Sequence, residues 1–313
     1  MTARKKISLV VPFYNEEKNI RGFFDRIASV FAAELLTYDL EIVCVNDGSK
    51  DGTLTELLCI KAAPASVRIL DFSRNFGKEA ALTAGLDYAE GDIVVPIDAD
   101  LQHPPETVLE MLRQWEAGYE VVLARRMDRS TDRAIQKLTA KAFYEFSRHI
   151  THVEIPANVG DFRLMDRKVV DALKQLRENC RFMKGIFAWT GFKTTIVEYS
   201  VAPRTQGHTK FNTWKLWNFA LEGISSFSTV PLRIWTYIGV AISGISVLYA
   251  LYLIVSTVVY GVVTPGYPSL MVAILLLSGV QLIGIGVLGE YIGRIFTEVK
   301  GRPIYIVREV IER

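Results

Sequence analysis

The chain has 313 residues, of which 50% are hydrophobic and 22% are charged. The formal net charge is only +2, and no basic tract is interleaved with aromatic residues, which argues against a nucleic-acid partner. Three cysteines, Cys44, Cys59 and Cys180, lack metal-site spacing, and their odd number favours reduced thiols over a disulfide framework. Residues 1–6 lead into a strand without a signal-peptide apolar region, so we expect the amino terminus to stay in the cytosol.

Strand and helix patterns alternate over the first 125 residues. Helical patterns run from residue 15 to about 33, from 53 onward, from 78 to about 89 and from 105 to 117. The strands that alternate with them are predicted at residues 7–11, 40–45, 67–70, 93–97 and 120–124. This alternation predicts an α/β domain with a mainly parallel sheet covered by helices on both faces. In such sheets, ligands bind beyond the carboxyl ends of the strands.

Polar clusters follow four of these strands directly. They are Asn15-Glu16, Asp47-Gly48-Ser49, Ser73-Arg74-Asn75 and Asp98-Ala99-Asp100. Any one of them alone is more typical of a turn, but four at one edge of a sheet favour a nucleotide-type site. Residues at i and i+2 of an extended chain point the same way, so Asp98 and Asp100 present two hard oxygen ligands to one place. Such ligands suit Mg²⁺ or Mn²⁺ that carries a diphosphate.

Other nucleotide and nucleophile motifs are missing from the sequence. No Gly-x-Gly-x-x-Gly follows the first strand, and no Gly-x-x-x-x-Gly-Lys-Ser/Thr occurs, which disfavours dinucleotide oxidoreductases and P-loop enzymes. No Gly-x-Ser-x-Gly elbow supports acyl transfer. The four histidines have no metal-ligand spacing, and we interpret His103 as a structural residue.

Basic residues are concentrated in the middle of the chain. They run from Arg125 to Lys141, and the segment from Arg125 to Asp132 is either a solvated face or a loop that clamps an anion. Two further clusters follow, Gly160–Met165 and the basic loop Arg204–Phe211, which contains Gly207.

The last third of the chain has a membrane pattern. Residues 214–228 place two tryptophans on one face, which is typical of an interfacial helix. No charged residue lies between Arg233 and Glu290, and the apolar stretches at about 234–260 and 270–292 are each long enough to span a bilayer. Lysines and arginines flank the pair but are missing from the turn, so both ends are expected in the cytosol. A buried helix pair in a soluble protein is the alternative.

Four segments result from this pattern. They are a cytosolic α/β domain at 1–210, a juxtamembrane amphipathic helix at 211–231, two transmembrane helices with a short external turn at 232–293, and a cytosolic tail at 294–313. We therefore expect a multi-pass membrane protein with its α/β domain in the cytosol. Chemistry between a soluble phosphorylated donor and a lipid head group suits this layout.

Five motifs carry a resemblance to a known family. They resemble inverting family-two glycosyltransferases with the GT-A fold: Val-Pro-Phe-Tyr-Asn-Glu (11–16), Asn-Asp-Gly-Ser (46–49), Ser-Arg-Asn-Phe-Gly-Lys (73–78), Asp-Ala-Asp-Leu-Gln (98–102) and Gly-Asp-Phe-Arg-Leu-Met (160–165). The terminal spans and Gly-Glu-Tyr-Ile-Gly-Arg (289–294) are similar to those of the polyisoprenyl-phosphate type, in particular the bactoprenol glucosyltransferases of O-antigen modification. The resemblance covers nearly the whole chain.

The resemblance implies both the reaction and its residues. Glucose would pass from UDP-glucose to undecaprenyl phosphate with inversion, giving a β-linked glucosyl-phospholipid and UDP. By position, Asp100 and Gln102 would bind Mg²⁺ or Mn²⁺. The nucleoside would contact Pro12, Tyr14, Glu16, Asp47 and Asp98, and phosphates would contact Arg125, Arg129 and Lys210.

Asp161 matches the position of a catalytic base in relatives of this type. A phosphate monoester has a second pKa of about 6, so the acceptor is already largely an anionic nucleophile at neutral pH. Asp161 is therefore expected to be a base or a positioning residue that orients Arg163 or excludes a second anion.

Two alternatives stay open. The same reaction could use another nucleotide sugar, such as a UDP-4-amino-4-deoxy-arabinose derivative, a UDP-N-acetylhexosamine or GDP-mannose. The second alternative is a non-catalytic membrane scaffold. The presence of Asp98, Asp100 and Gln102 together argues against it. Family resemblance and glycine-rich faces of the last helix make a homo-oligomer plausible. A flippase and a periplasmic glucosyltransferase would act downstream.

Overall fold

A computed structural model describes residues 4–32, 37–60, 65–127, 159–179, 183–200, 230–260 and 266–313. The chain divides into two compact units, Met1–Asn218 with Arg302–Arg313, and Phe219–Gly301. The predicted amphipathic helix at 211–231 lies outside the described residues except for its last two positions.

The first unit is an α/β domain, and its strands within the described ranges form one sheet. The strands are β1 (Lys5–Phe13), β2 (Tyr38–Asn46), β3 (Ser66–Phe72), β4 (Ile93–Pro96), β5 (Val121–Arg126), β6 (Val159–Asp166), β7 (Thr194–Tyr199) and β8 (Val307–Glu312). The helices are α1 (Ile20–Phe31), α2 (Thr53–Cys59), α3 (Lys78–Tyr88), α4 (Glu106–Glu116), α5 (Arg167–Gln175) and α6 (Met183–Trp189). The first five strands and the helices between them agree with the sequence prediction.

The strand order across the sheet is β7-β5-β6-β4-β1-β2-β3-β8. The central strands β4, β1, β2 and β3 are parallel, and so are β5 and β7. The pairs β4–β6, β5–β6 and β3–β8 are antiparallel. The prediction of a mainly parallel sheet therefore holds for the centre, but the sheet as a whole is mixed. The antiparallel pairs all involve β6 and β8, strands that the sequence pattern did not predict.

The core lies between the central strands and the helices that cover them. Strand β1 is buried at every position from Ile7 to Val11, as expected for a strand covered on both faces. Helix α1 turns one apolar face to the sheet, where Ile20, Phe23 and Ile27 are almost fully buried. Burying each such side chain contributes roughly 1.5–3 kcal/mol, which fixes the sheet that carries the polar edge.

The carboxyl-terminal segment is not only a tail. Residues 307–312 form β8, which pairs antiparallel with β3. Before it, Tyr305 stacks on Phe72 with ring centroids 5.4 Å apart and donates a hydrogen bond to Asp87 at 2.7 Å. Arg308 Nη1 donates to the buried Asp71 carboxylate at 3.2 Å. The final residues thus complete the first unit after the chain has passed through the second.

The second unit contains two long helices, α7 (Val230–Tyr260) and α8 (Tyr267–Val299). Their positions agree with the predicted spans, and the turn at 261–265 lies outside the described residues. Within the described residues, one stretch, Leu277–Val299, is long and apolar enough to cross a membrane. The arrangement with two spans therefore stays a prediction.

Two helical glycines give a matched test of the packing. A Cβ at Gly85 in α3 would overlap Cγ1 of the buried Val10, whereas a Cβ at Gly22 in α1 meets nothing within 4 Å. We expect Gly85→Ala to lower the free energy of unfolding by about 1–3 kcal/mol through overpacking. Gly22→Ala should raise it by ~0.5–1 kcal/mol through helix propensity. Thermal unfolding of the detergent-solubilised variants measures both, and shifts of the same sign would contradict this packing.

Candidate active site

The sheet topology gathers the polar residues at one edge. Strands β4 and β5 both run antiparallel to β6, so they run parallel to each other. The carboxyl ends of β1 to β5 therefore lie at the same edge as the amino end of β6. This places Asp161, near the start of β6, beside the loop that follows β4.

One ammonium group links two carboxylates at this edge. Lys78 Nζ lies 2.8 Å from Asp98 Oδ1, 3.0 Å from Asp98 Oδ2 and 3.2 Å from Asp161 Oδ2. Burial disfavours the charged form of Lys78, but the two carboxylates outweigh it and raise the pKa of this lysine. The sequence motif 73–78 contained Lys78, but its role as a bridge depends on contacts between distant residues.

The turn after Asp98 is held in an uncommon backbone conformation. Leu101 has a φ of 58°, a left-handed value that is rare for a residue with a branched side chain. The turn brings the Gln102 backbone N–H to Asp100 Oδ1 at 3.1 Å. Backbone strain of this kind persists where the surroundings enforce it and is concentrated at functional sites.

The donor set of this turn fits a divalent cation that also binds a diphosphate. No group of three His, Cys, Asp or Glu side chains with metal-site geometry occurs within the residues that the structure describes. Magnesium usually takes one or two carboxylates and completes its shell with water and substrate phosphates. Asp100, whose carboxylate is oriented by the turn, and Gln102 supply hard oxygen atoms of this kind.

The end of β1 and the loop after it carry three of the predicted nucleoside contacts. Pro12 and Glu16 are partly buried, and Tyr14 is exposed. Glu16 donates its backbone N–H to Thr53 Oγ1 at 2.9 Å, which ties this loop to the start of α2. Burial raises the pKa of Glu16, and the negative charges of Asp100, Asp51 and Asp98 raise it further. Glu16 therefore belongs to the same acidic region as the Asp98 turn.

Asp47 is placed as a support for a neighbouring loop. Its side chain is almost fully buried, and Oδ1 accepts a hydrogen bond from the Phe76 backbone N–H at 2.7 Å. Oδ2 accepts from the Gly77 N–H at 3.0 Å and from Asn75 Nδ2 at 2.9 Å. Burial raises the pKa of Asp47, and these backbone donors partly offset the effect. In this arrangement Asp47 orders the loop that ends at Lys78.

Arg163 is also a support. It is 5% exposed, its Nη2 donates to the Gly160 carbonyl at 2.8 Å, and its guanidinium lies 3.9 Å from the centroid of the Phe187 ring. Burial lowers the pKa of Arg163 to about 10, which leaves it protonated at neutral pH. Arg163 is thus a buried cation that binds the backbone of β6, the strand that also carries Asp161.

The structure describes one of the three predicted phosphate contacts, Arg125. Arg125 on β5 donates through Nε to Glu198 Oε1 on β7 at 3.1 Å and also through Nη2 to the same oxygen. It is therefore paired across the two strands in this structure. Arg129 and Lys210 lie outside the described residues.

His103 belongs to the site, although its spacing in the sequence gave no such signal. Its ring stacks on Phe162 with centroids 4.8 Å apart, and its Nδ1 accepts a hydrogen bond from the Asp98 backbone N–H at 3.4 Å. Burial lowers the pKa of His103, although Asp98 opposes that shift. A neutral His103 thus fixes the backbone at the start of the acidic turn.

Comparison with known proteins decides the family. The model of glycosyl transferase family 2 matches residues 8–174. The chain belongs to glycosyl transferase family 2. A second model, the GtrB C-terminal hairpin, matches residues 230–295. The family membership and the mixed sheet confirm the predicted GT-A fold.

Relatives extend this match to nearly the full chain. The SfII prophage-derived bactoprenol glucosyl transferase of Shigella flexneri is 54% identical over 304 residues, covering 97% of this chain and 98% of the relative. An uncharacterized glycosyltransferase of Synechocystis is 53% identical, covering 97% and 95%. A solved structure of glucosyl-3-phosphoglycerate synthase from Mycobacterium tuberculosis is 19% identical over 71% of this chain and 78% of that one, with a TM-score of 0.46.

The hairpin match and the apolar stretch Leu277–Val299 indicate that this family 2 glycosyl transferase is associated with a membrane. The family assignment also gives the acidic edge a chemical context. Members transfer a sugar, and this edge holds two carboxylates joined by a bridging lysine.

Proposed function

We propose that the protein transfers glucose from UDP-glucose to undecaprenyl phosphate, that is, bactoprenyl phosphate, with inversion at the anomeric carbon. The products are a β-glucosyl-phosphoryl lipid and UDP. The observation that carries the proposal is the 54% identity, over 97% of this chain, to a relative named bactoprenol glucosyl transferase.

The geometry supports a single displacement at the acidic edge. An oxygen of the lipid phosphate attacks the anomeric carbon of glucose, and the bond between that carbon and the β-phosphate oxygen of UDP breaks. The bonding pair leaves with UDP, and the configuration inverts. Because the acceptor is largely anionic at neutral pH, no proton has to be removed before the attack.

Several residues of this chain would position the donor. Asp98, fixed by Lys78 and His103, would contact the nucleotide. The nucleoside site would be lined by Pro12 at the end of β1 and by Tyr14 and Glu16 on the loop after it. Asp47 acts indirectly through the loop Asn75–Gly77.

Asp161 would lie on the acceptor side of the reaction. It is anchored by Lys78 at 3.2 Å and carried on a strand whose backbone Arg163 holds. A carboxylate there would orient Arg163 or exclude a second anion. Asp100 and Gln102 would hold Mg²⁺ or Mn²⁺, which offsets the charge on the departing UDP.

The membrane part of the proposal is a hairpin of α7 and α8, with both ends in the cytosol. The length of the two helices, the match to the GtrB hairpin model and the charge-free sequence from 234 to 289 support it. The acceptor head group would then lie at the cytosolic surface of the inner membrane. We further propose that the protein forms a homo-oligomer. A flippase and a periplasmic glucosyltransferase would then use the product for O-antigen modification.

Transfer of radiolabelled glucose from UDP-glucose to undecaprenyl phosphate by the detergent-purified full chain tests the function. We expect label in the lipid phase with Mg²⁺ or Mn²⁺ and a loss of label with EDTA. A panel of other nucleotide sugars is run in parallel. Transfer from a different donor would replace glucose and keep the reaction class, whereas UDP binding without transfer from any donor would favour the scaffold.

A further inference from the structure

Lys78 occupies a position that is unfavourable for a cation. It is the first residue of α3, where the helix dipole places partial positive charge and the first N–H groups lack helical partners. Acidic residues are preferred there, and Glu79 follows immediately in the sequence. A lysine at this position therefore needs compensation, and the carboxylates of Asp98 and Asp161 provide it.

The backbone before Lys78 is built to place it. Gly77 has a φ of 97°, a left-handed value open to glycine, and its N–H is held by the buried Asp47 carboxylate. The Lys78 side chain is about half exposed, at 47%, and its ammonium contacts the two carboxylates. A bound molecule at this edge could contact the same ammonium.

The charges around Lys78 pose an electrostatic problem for the proposed substrates. Asp98 and Asp161 contact it directly, and the pKa of Glu16 is raised first by burial and then by the nearby carboxylates of Asp100, Asp51 and Asp98. The donor diphosphate and the acceptor phosphate are both anionic. Like charges at close range in a partly buried site repel strongly.

We propose that Lys78 is a charge-balancing positioning residue: its ammonium offsets Asp98 and Asp161, so that an anionic diphosphate can bind beside them. The inference rests on the proposed function only in requiring a nucleoside diphosphate at this edge, not in the identity of the sugar. Removing the ammonium leaves two carboxylates facing that diphosphate. Removing one of the carboxylates as well relieves part of the repulsion.

Affinity for UDP, measured by calorimetry on the detergent-purified full chain, tests the proposal without any sugar transfer. The variants are Lys78→Gln, Lys78→Arg and the double variant Lys78→Gln/Asp161→Asn. Lys168→Gln is the matched control, because Lys168 pairs with Glu120 at 2.5 Å at the opposite edge of the sheet. Thermal unfolding of every variant accompanies the titrations, and GDP replaces UDP if the wild type binds only GDP.

We expect Lys78→Gln to bind UDP about tenfold more weakly, Lys78→Arg to stay within about threefold, and the double variant to regain most of the loss. Lys168→Gln should bind like the wild type. Wild-type affinity in Lys78→Gln, or a double variant no better than Lys78→Gln, would overturn the proposal. If Lys78→Gln does not fold, the proposal is tested by Lys78→Arg, and weak UDP binding by a folded Lys78→Arg would overturn it.

These outcomes separate the two proposals. A wild type that binds UDP but transfers no glucose contradicts the proposed function and leaves the charge-balance test intact. A wild type that binds neither UDP nor GDP overturns both, because Lys78 then has no diphosphate to accommodate.

Discussion

Asp100→Ala should lower glucose transfer by roughly 10³-fold, which is one of the two largest effects that we expect. Asp100 is the carboxylate that we propose as a ligand of the cation, and its loss would leave the charge on the departing UDP uncompensated. Initial rates at saturating UDP-glucose, with Mg²⁺ and Mn²⁺ each varied, measure the effect.

Asp100→Asn separates cation binding from the fold of the turn. Its amide oxygen can still accept the hydrogen bond from the Gln102 N–H, which the wild type makes at 3.1 Å, but it lacks the charge. We expect the asparagine variant to lose transfer nearly as fully as the alanine variant. As a control, Asp39→Ala removes an exposed carboxylate at the start of β2 and should leave glucose transfer unchanged. Full activity of Asp100→Asn would show that the residue only shapes the turn.

Asp161→Asn should reduce transfer by about 10²–10³-fold while UDP affinity stays unchanged or improves. The carboxylate would act on the acceptor side, so its loss affects turnover, and the removal of a negative charge does not weaken a diphosphate. Turnover and UDP binding are measured on the same preparation of the full chain.

The control for Asp161 lies at the other end of the same strand. Asp166 caps α5 by accepting a hydrogen bond from the Lys168 N–H at 3.1 Å, and it also accepts one from Trp115 Nε1 at 2.8 Å. Asparagine is also a good cap, and the acceptor lost to Trp115 lies at the other end of β6 from Asp161. Asp166→Asn should therefore change neither turnover nor UDP affinity. Unchanged turnover in Asp161→Asn would mean that this carboxylate has no essential role, and weakened UDP binding would move it to the donor side.

The supports around the acidic edge explain why single sequence motifs are weak signals here. Asp47 was predicted to contact the nucleoside, and the structure shows its carboxylate accepting hydrogen bonds from the loop Asn75–Gly77. Arg163, predicted beside Asp161, donates to the backbone of its own strand at Gly160. His103, interpreted as structural, accepts a hydrogen bond from the Asp98 N–H at the start of the turn. Residue type and position in a motif indicated that these side chains matter, but the contacts decided how.

The sequence by itself determined the parts of the protein that depend on local pattern. The buried strands β1 to β5 and their helices follow from periodicity, and the polar edge follows from where those strands end. The Asp98 and Asp100 pair was predicted from the shared face of i and i+2 positions in an extended chain, whereas the structure places Asp100 in a turn after β4, which ends at Pro96. The charge-free stretch from 234 to 289 could also be identified from the sequence, because a helix that spans a bilayer needs about 20 apolar residues.

Only the tertiary structure decided which distant segments meet. Strand β6 pairs antiparallel with β4, which brings Asp161 into contact with Lys78. The register of β5 with β7 pairs Arg125 with Glu198. Strand β8 was missed because it is a short edge strand whose positions are mostly exposed, so it has little apolar periodicity. Strand pairing over long sequence separations is set by the packing of the whole sheet, and a local pattern carries no information about the register or direction of the partner strand.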